Sequence, residues 1–150
     1  MHNTYRLAIV YFTLFSILLL VSAFMLFFTK IGFSIEDINT YYIGNEAKFM
    51  HAKTLSGTLK VLYPHMFSIA LFSMVILHFV YFTKFNNSLY FRYLIILTYL
   101  SIFLEIFSGF FMILGISMFA FVKLASFISM FIVFLFLFWL ILHSILSQKK

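Results

Sequence analysis

Four long apolar stretches alternate with shorter polar segments along the chain. A helix needs about 20 apolar residues to cross the hydrocarbon core of a bilayer, and each stretch reaches that length. The predicted spans cover about residues 7–28, 64–83, 93–114 and 118–146. The pattern therefore predicts an all-α fold, an antiparallel four-helix membrane bundle in which residues 1–150 form one membrane domain.

The predicted connection between the first two spans, residues 29–63, is too long to be a simple connector. Ser34 is typical of a residue that caps the start of a helix, and Gly44 is typical of a helix end. Asn45 and Gly57 bound a second predicted helix in the same way. We therefore expect an outer loop with two short helices that lie on the membrane surface or cover the end of the bundle.

Composition assigns the chain to the lipid bilayer. Of its 150 residues, 65% are hydrophobic and only 9% are charged, whereas a soluble domain carries roughly 25% charged residues. Cysteine is absent, which excludes disulfides, thiolate metal sites and iron–sulfur clusters. The net charge of +6 does not indicate nucleic acid as a partner, because the basic residues are scattered at the ends of the spans.

The distribution of lysine and arginine predicts an orientation. If both termini are cytoplasmic, five basic residues lie inside and four lie in the outer loop, as the positive-inside rule favours. The bias toward Phe, Ile, Tyr, Asn and Lys is typical of an AT-rich bacterial genome, so we expect a multi-pass protein of the bacterial inner (cytoplasmic) membrane. The inside set is Arg6, Lys84, Arg92, Lys149 and Lys150, and the outside set is Lys30, Lys48, Lys53 and Lys60.

Four histidines are predicted to lie at two depths. His65, at the predicted start of the second span, and His51 in the outer loop form an outer pair. His78 and His143 lie near the inner ends of two spans that run in the same direction, so they form an inner pair at a common depth. Histidines near a membrane interface also serve as hydrogen-bonding or snorkelling residues, which is the alternative interpretation for all four.

A b-type haem needs one or two axial imidazoles and an apolar slot between helices. In its four spans and in His65, His78 and His143, the chain resembles the small four-helix membrane cytochromes of b type. The resemblance implies haem b as cofactor, with its iron bound by His78 and His143 and a second site at His65 and His51. The match departs from the family pattern, in which two histidines of one helix lie on the same face. His65 and His78 are thirteen residues apart, which places their side chains about 140° apart around the helix axis. A single haem on His78 and His143 fits this geometry better.

Glu105 lies in the middle of the third span, where a carboxylate must be protonated, paired or hydrated. Lys123, across a predicted hairpin at Gly115, is the available cation. One interpretation is structural: an ion pair, or a neutral carboxyl group bonded to Ser101 or Thr98. The other is functional, and it makes Glu105 the candidate catalytic residue as a proton relay or as the acid of a quinone site.

Two packing predictions follow from residue type. The phenylalanine-rich run at residues 127–139 is expected to face lipid rather than to enclose a cofactor. Small residues let helix backbones approach, so they are expected at close helix contacts. These small residues are Ser108, Gly109, Ala125, Ser126 and Ser129.

Three function classes agree with these features. The first is a b-haem electron-transfer protein, linked to quinone and to a periplasmic redox protein. The second is a non-catalytic subunit, anchor or assembly factor of a larger membrane complex. The third is a small transporter of protons or divalent metal ions. The sequence leaves open whether the chain is an enzyme.

Overall fold

The computed structural model describes residues 3–83, 85 and 89–147, apart from the side chains of residues 3 and 146. Three lysines used for the orientation, at positions 84, 149 and 150, lie outside the described residues. Four of the helices are long and apolar enough to cross a membrane, which confirms the predicted helical membrane fold. The elements are α1 (Asn3–Lys30), α2 (Ile35–Ile43), a 3₁₀ turn (Glu46–Lys48), α3 (Leu55–Tyr81), α4 (Leu89–Ile113) and α5 (Phe119–Ser147).

Helix α5 occupies the middle of the bundle and packs against α1, α3 and α4. One stripe of its side chains is buried, including Met130, Val133, Phe134 and Leu137. The prediction that residues 127–139 face lipid is therefore wrong for this stripe. Lipid tails are as apolar as a protein interior, so hydrophobicity alone does not separate the two surroundings.

Helices α4 and α5 form a tight hairpin that sets the depth of the intramembrane charges. Gly115 in the connection has a φ of 89°, a left-handed conformation that glycine adopts without strain. Farther from Gly115 in the hairpin, the hydroxyls of Ser101 and Ser129 are 2.9 Å apart and hydrogen-bonded. Ser126 is also buried as predicted, whereas Ala125 is exposed, so the prediction of a close contact is wrong for Ala125.

Helix α2 has the predicted bounds and lies against α4 and α5. The Ser34 hydroxyl accepts a hydrogen bond from the Asp37 backbone N–H at 3.0 Å, which satisfies a donor that the first helical turn leaves unpaired. Gly44 ends the helix, and its N–H donates to the Thr40 carbonyl at 3.1 Å. We call the end of the bundle that α2 covers the α2 side.

Helix α3 begins at Leu55, nine residues before the predicted start at Pro64. Thr54 is the cap, because its hydroxyl accepts a hydrogen bond from the Gly57 N–H at 3.1 Å. The predicted second loop helix is only a 3₁₀ turn that ends at Phe49, and Gly57 lies inside α3 instead of ending a helix. Hydropathy missed these first turns because they are polar and lie where the helix enters the membrane surface.

Candidate functional site

A cavity of about 420 Å³ lies between α2, α3, α4 and α5 on the α2 side. Its walls combine apolar side chains with an unusual number of titratable groups for a membrane protein. We call it the Glu105 cavity. Its titratable lining consists of Tyr41, Tyr42, His51, Lys53, His65, Glu105 and Lys123.

The centre of the cavity wall is an ion pair between Glu105 and Lys123, each 5% exposed. The Lys123 ammonium contacts Glu105 Oε1 and also donates to the Glu105 backbone carbonyl at 2.7 Å. The predicted ion pair is therefore confirmed. The alternative partners are used elsewhere, because Thr98 donates to the Leu94 carbonyl and Ser101 bonds to Ser129.

The second carboxylate oxygen of Glu105 is left without a partner. Oε2 is buried, and among the described residues it has no hydrogen-bond partner. His65 Nε2 lies 3.9 Å from Oε2. This separation exceeds the hydrogen-bonding range, so the two atoms face each other across a gap. The His65 side chain is 54% exposed and leads from the buried pair to the surface of α3.

Helix α2 adds an aromatic cover to the cavity, which is the second of the two placements predicted for the loop helices. Tyr42 is buried against Gly109 so closely that a Cβ atom at Gly109 would lie 3.1 Å from the tyrosine ring. Burial raises the pKa of the Tyr42 hydroxyl, and the nearby charge of Lys123 opposes this effect. The sequence signal for this contact was Gly109, which was predicted at a close helix contact, although its partner was not predicted.

The segment after the 3₁₀ turn contacts both α2 and the mouth of the cavity. The Lys53 backbone N–H donates to the Tyr42 carbonyl at 3.0 Å. The Lys53 ammonium lies 4.4 Å from the centre of the Tyr41 ring, within the range of a cation–π interaction. His51 lies in the same segment and is exposed at the mouth. The structure thus brings the predicted outer pair, His51 and His65, to one cavity that also contains Glu105.

The cavity lies near the ends of the spans on the α2 side. At 1.5 Å per residue, Lys123 is about 6 Å from the start of α5, and Glu105 is about 12 Å from the end of α4. His65 is about 15 Å from the start of α3. Below this level the buried stripe of α5 is apolar, with Phe134 and Leu137 almost fully enclosed. The Glu105 cavity therefore lies at the α2 side, and toward the opposite side the buried stripe of α5 is apolar, while buried serines and threonines, including Ser73, Thr98 and Ser101, lie on the neighbouring helices.

The inner histidine pair is arranged differently. The Phe72 ring of α3 contacts the rings of Phe134 and Phe138 of α5, with centroids 5.4 and 6.4 Å apart. Because both helices continue in the same direction from this contact, His78 and His143 do lie at a common depth.

Neither ring points into the bundle. His78 and His143 are both exposed, and on an ideal helix His78 lies about 140° from the buried Ser73. His78 packs edge-on against Phe82, and His143 stacks on Trp139, in each case a neighbour on its own helix. The two imidazoles therefore do not enclose a slot inside the bundle. Their role as haem ligands stays a prediction, and it would need a surface shared with another chain.

The residues present do not form a compact metal site. Within residues 3–83, 85 and 89–147, no group of three or more His, Asp or Glu side chains is placed to hold a metal ion. His51, His65 and Glu105 share a cavity, but only the last two lie within 4 Å of each other.

The fold and the cavity together define a multi-pass helical membrane protein with a polar cavity at one end. Residues 32–150 match the model of the Aq_1264_TM family, described as a transmembrane helical domain, and the chain belongs to this family. No curated protein and no solved structure gives a significant match to the chain. The matched region contains α2 to α5 and the whole Glu105 cavity, while α1 precedes it.

Proposed function

We propose that the protein binds a quinone-type molecule from the bilayer in the Glu105 cavity and exchanges a proton with its ring oxygen. The observation that carries this proposal is the buried carboxylate oxygen of Glu105, which faces a 420 Å³ cavity without a partner. Cavities of this size are typical of sites for small organic ligands, in which a few polar groups fix the orientation of the molecule.

The shape and position of the cavity support a ligand that is dissolved in the membrane. Tyr41 and Tyr42 offer aromatic surfaces to a ring, and Lys53 and His65 offer hydrogen-bond donors to its oxygens. Val61 and His65, which line the cavity, are also exposed on the surface of α3. A quinone ring can therefore enter from the upper hydrocarbon region without first passing through water.

The same geometry argues against the other two classes. A transporter needs a continuous polar path across the membrane, whereas beyond the cavity the buried polar side chains of the described core are scattered serines and threonines, such as Ser73, Thr98 and Ser101. A simple anchor has no need to bury a charged pair, because an apolar pair of similar volume would hold two helices at least as well. The larger complex and the periplasmic redox protein stay predictions about partners. The outward faces at His78 and His143 are available to such partners.

The haem ligands that the sequence favours, His78 and His143, do not line this cavity, whereas the predicted second haem site, His65 and His51, lies in it. A reduced-minus-oxidised visible spectrum of the purified protein decides whether haem is bound, because haem b gives a characteristic band at stoichiometric intensity. The orientation of the protein in the membrane bears on both quinone binding and haem binding. With both termini in the cytoplasm of a bacterial cell, the Glu105 cavity opens on the periplasmic side of the inner membrane.

The proposal is tested by ligand binding in lipid nanodiscs. Protein in nanodiscs of quinone-free lipid is titrated with a short-tailed quinone and with its hydroquinone under argon, and binding is measured by equilibrium dialysis. We expect saturable binding of at least one form, weakened about tenfold in His65→Leu, because one hydrogen bond near a charge contributes about 1.5 kcal/mol.

Tyr63→Leu is the matched control, because Tyr63 lies on the same helix two residues away, is 80% exposed and does not line the cavity. This variant is expected to bind like the wild type. The proposal is wrong if neither form binds saturably, or if the two variants weaken binding equally.

A further inference from the structure

The two carboxylate oxygens of Glu105 differ in what they can still bind. Oε1 contacts the Lys123 ammonium, whereas Oε2 is buried without a partner among the described residues. An ionised carboxylate oxygen only accepts hydrogen bonds. A buried acceptor that stays unpaired is unfavourable, so Oε2 favours a ligand atom that donates a hydrogen.

The distance to His65 restricts the donor further. Oε2 and His65 Nε2 are 3.9 Å apart, so one oxygen atom that lies about 2 Å to the side of the line joining them is about 2.8 Å from each, a normal hydrogen-bond length. With the imidazole proton on Nε2, this oxygen accepts from His65 and donates to Glu105. A hydroxyl group can do both at once, whereas a carbonyl or ether oxygen can only accept.

We infer that the Glu105 cavity selects the hydroxyl-bearing, reduced form of a quinone-type ligand over the carbonyl-bearing, oxidised form. This inference rests on the proposed function and specifies its ligand. A bound water has the same donor and acceptor capacity, and a ligand hydroxyl that displaces it retains both hydrogen bonds. A quinone carbonyl that displaces the same water leaves Oε2 unpaired.

The expected selectivity is about 10- to 100-fold, since a hydrogen bond to a charged group contributes about 1.5–3 kcal/mol. The probes are a short-tailed hydroquinone, its dimethyl ether and the matching quinone, compared by equilibrium dialysis under argon. The ether keeps the ring and the tail but has no hydroxyl donor. Wild-type protein is expected to bind the hydroquinone 10- to 100-fold more tightly than either of the other two.

The decisive variant is the double substitution Glu105→Gln/Lys123→Met. It removes both buried charges together, so no single charge is left alone in the bundle, and it places an amide at position 105. An amide donates as well as accepts, so the preference for the hydroquinone is expected to fall to less than threefold. The control is Glu36→Gln/Lys48→Met, which removes an exposed ion pair of the loop and leaves the preference unchanged.

The outcomes separate this inference from the proposed function. If the wild type binds the hydroquinone and the quinone equally, the inference is overturned while quinone binding stands. It is also overturned if the double variant at Glu105 and Lys123 keeps the full preference. If neither form binds saturably to the wild type, the proposed function itself is wrong.

Discussion

Breaking the buried pair of Glu105 and Lys123 is expected to destabilise the bundle strongly. Lys123→Met keeps the length of the side chain but leaves the carboxylate without its cation at a position that is 5% exposed. Removing one partner of a buried ion pair costs about 3–5 kcal/mol, because an uncompensated charge remains. Glu105→Gln leaves the ammonium alone and is expected to cost a similar amount.

The magnitude follows from the cost of neutralising the remaining group. An isolated charge in an apolar environment is neutralised rather than retained. From reference titration behaviour, protonating a free glutamate at pH 7 costs about 4 kcal/mol, and deprotonating a free lysine costs about 5 kcal/mol. The double variant Glu105→Gln/Lys123→Met carries no charge, so its expected cost is about 1 kcal/mol or less. The coupling energy between the two sites is then at least about 5 kcal/mol.

The free energy of unfolding is measurable in mixed micelles by titration with a denaturing detergent. The fluorescence of Trp139, the single tryptophan of the chain, reports the transition. The exposed pair Glu36–Lys48, with 3.2 Å between charged atoms, serves as the control, and its coupling is expected to be below about 1 kcal/mol. Additive costs at Glu105 and Lys123, each under about 1 kcal/mol, would show that the buried pair does not act as a unit.

Three further predictions concern the cover of the cavity and the haem hypothesis. Ser34→Ala removes the cap of α2 and is expected to lower stability by about 1 kcal/mol and to weaken ligand binding, whereas Ser34→Asp keeps the cap and both properties. Burial raises the pKa of Tyr42, so the folded protein holds this proton more tightly than the unfolded chain, and stability is retained at neutral pH but falls above about pH 10. A pH series of unfolding midpoints is expected to show a smaller loss of stability at alkaline pH for Tyr42→Phe than for the wild type. Equal losses in the two proteins would contradict this prediction. If haem b is bound as the sequence predicts, His143→Ala loses the haem band, and a colourless wild-type protein refutes the hypothesis.

The fold was predictable because the bilayer restricts what a long apolar segment can do. Each span had to be a helix, since backbone groups in lipid must find their partners within the segment. Helix α2 was predictable as well, because Ser34 and Gly44 are strong local signals that do not depend on tertiary structure. Glu105 and Lys123 were paired correctly because a charge within a span has few partners at its depth.

What the sequence did not determine was the direction in which side chains face. His78 and His143 were placed at the correct depth, but the angular position of a ring depends on which helix face is buried. In soluble proteins an apolar stripe reveals that face, whereas a membrane helix is apolar all round. For the same reason the buried stripe of α5 was taken for a lipid-facing surface.

The contact of Tyr42 with Gly109 and the early start of α3 were missed for a related reason. Both belong to the boundary between lipid and water, where amphipathic side chains are common and hydropathy changes gradually. Thr54 was the available signal for the start of α3, and Gly109 was the available signal for the close contact with Tyr42. Neither residue indicates from the sequence alone which group it contacts. The cavity exists only because α2 folds back on the hairpin of α4 and α5, and this contact is not encoded in any local pattern.

The energetics of the buried pair bear on why it is present at all. Helices α4 and α5 are already joined by a short connection at Gly115, by the Ser101–Ser129 hydrogen bond and by the apolar stripe of α5. Their association therefore does not depend on a pair of charges whose desolvation is unfavourable. The pair nevertheless leaves one acceptor oxygen free at a cavity that opens toward lipid and water. A double variant that keeps its stability but loses ligand selectivity would show that Glu105 and Lys123 serve binding rather than folding.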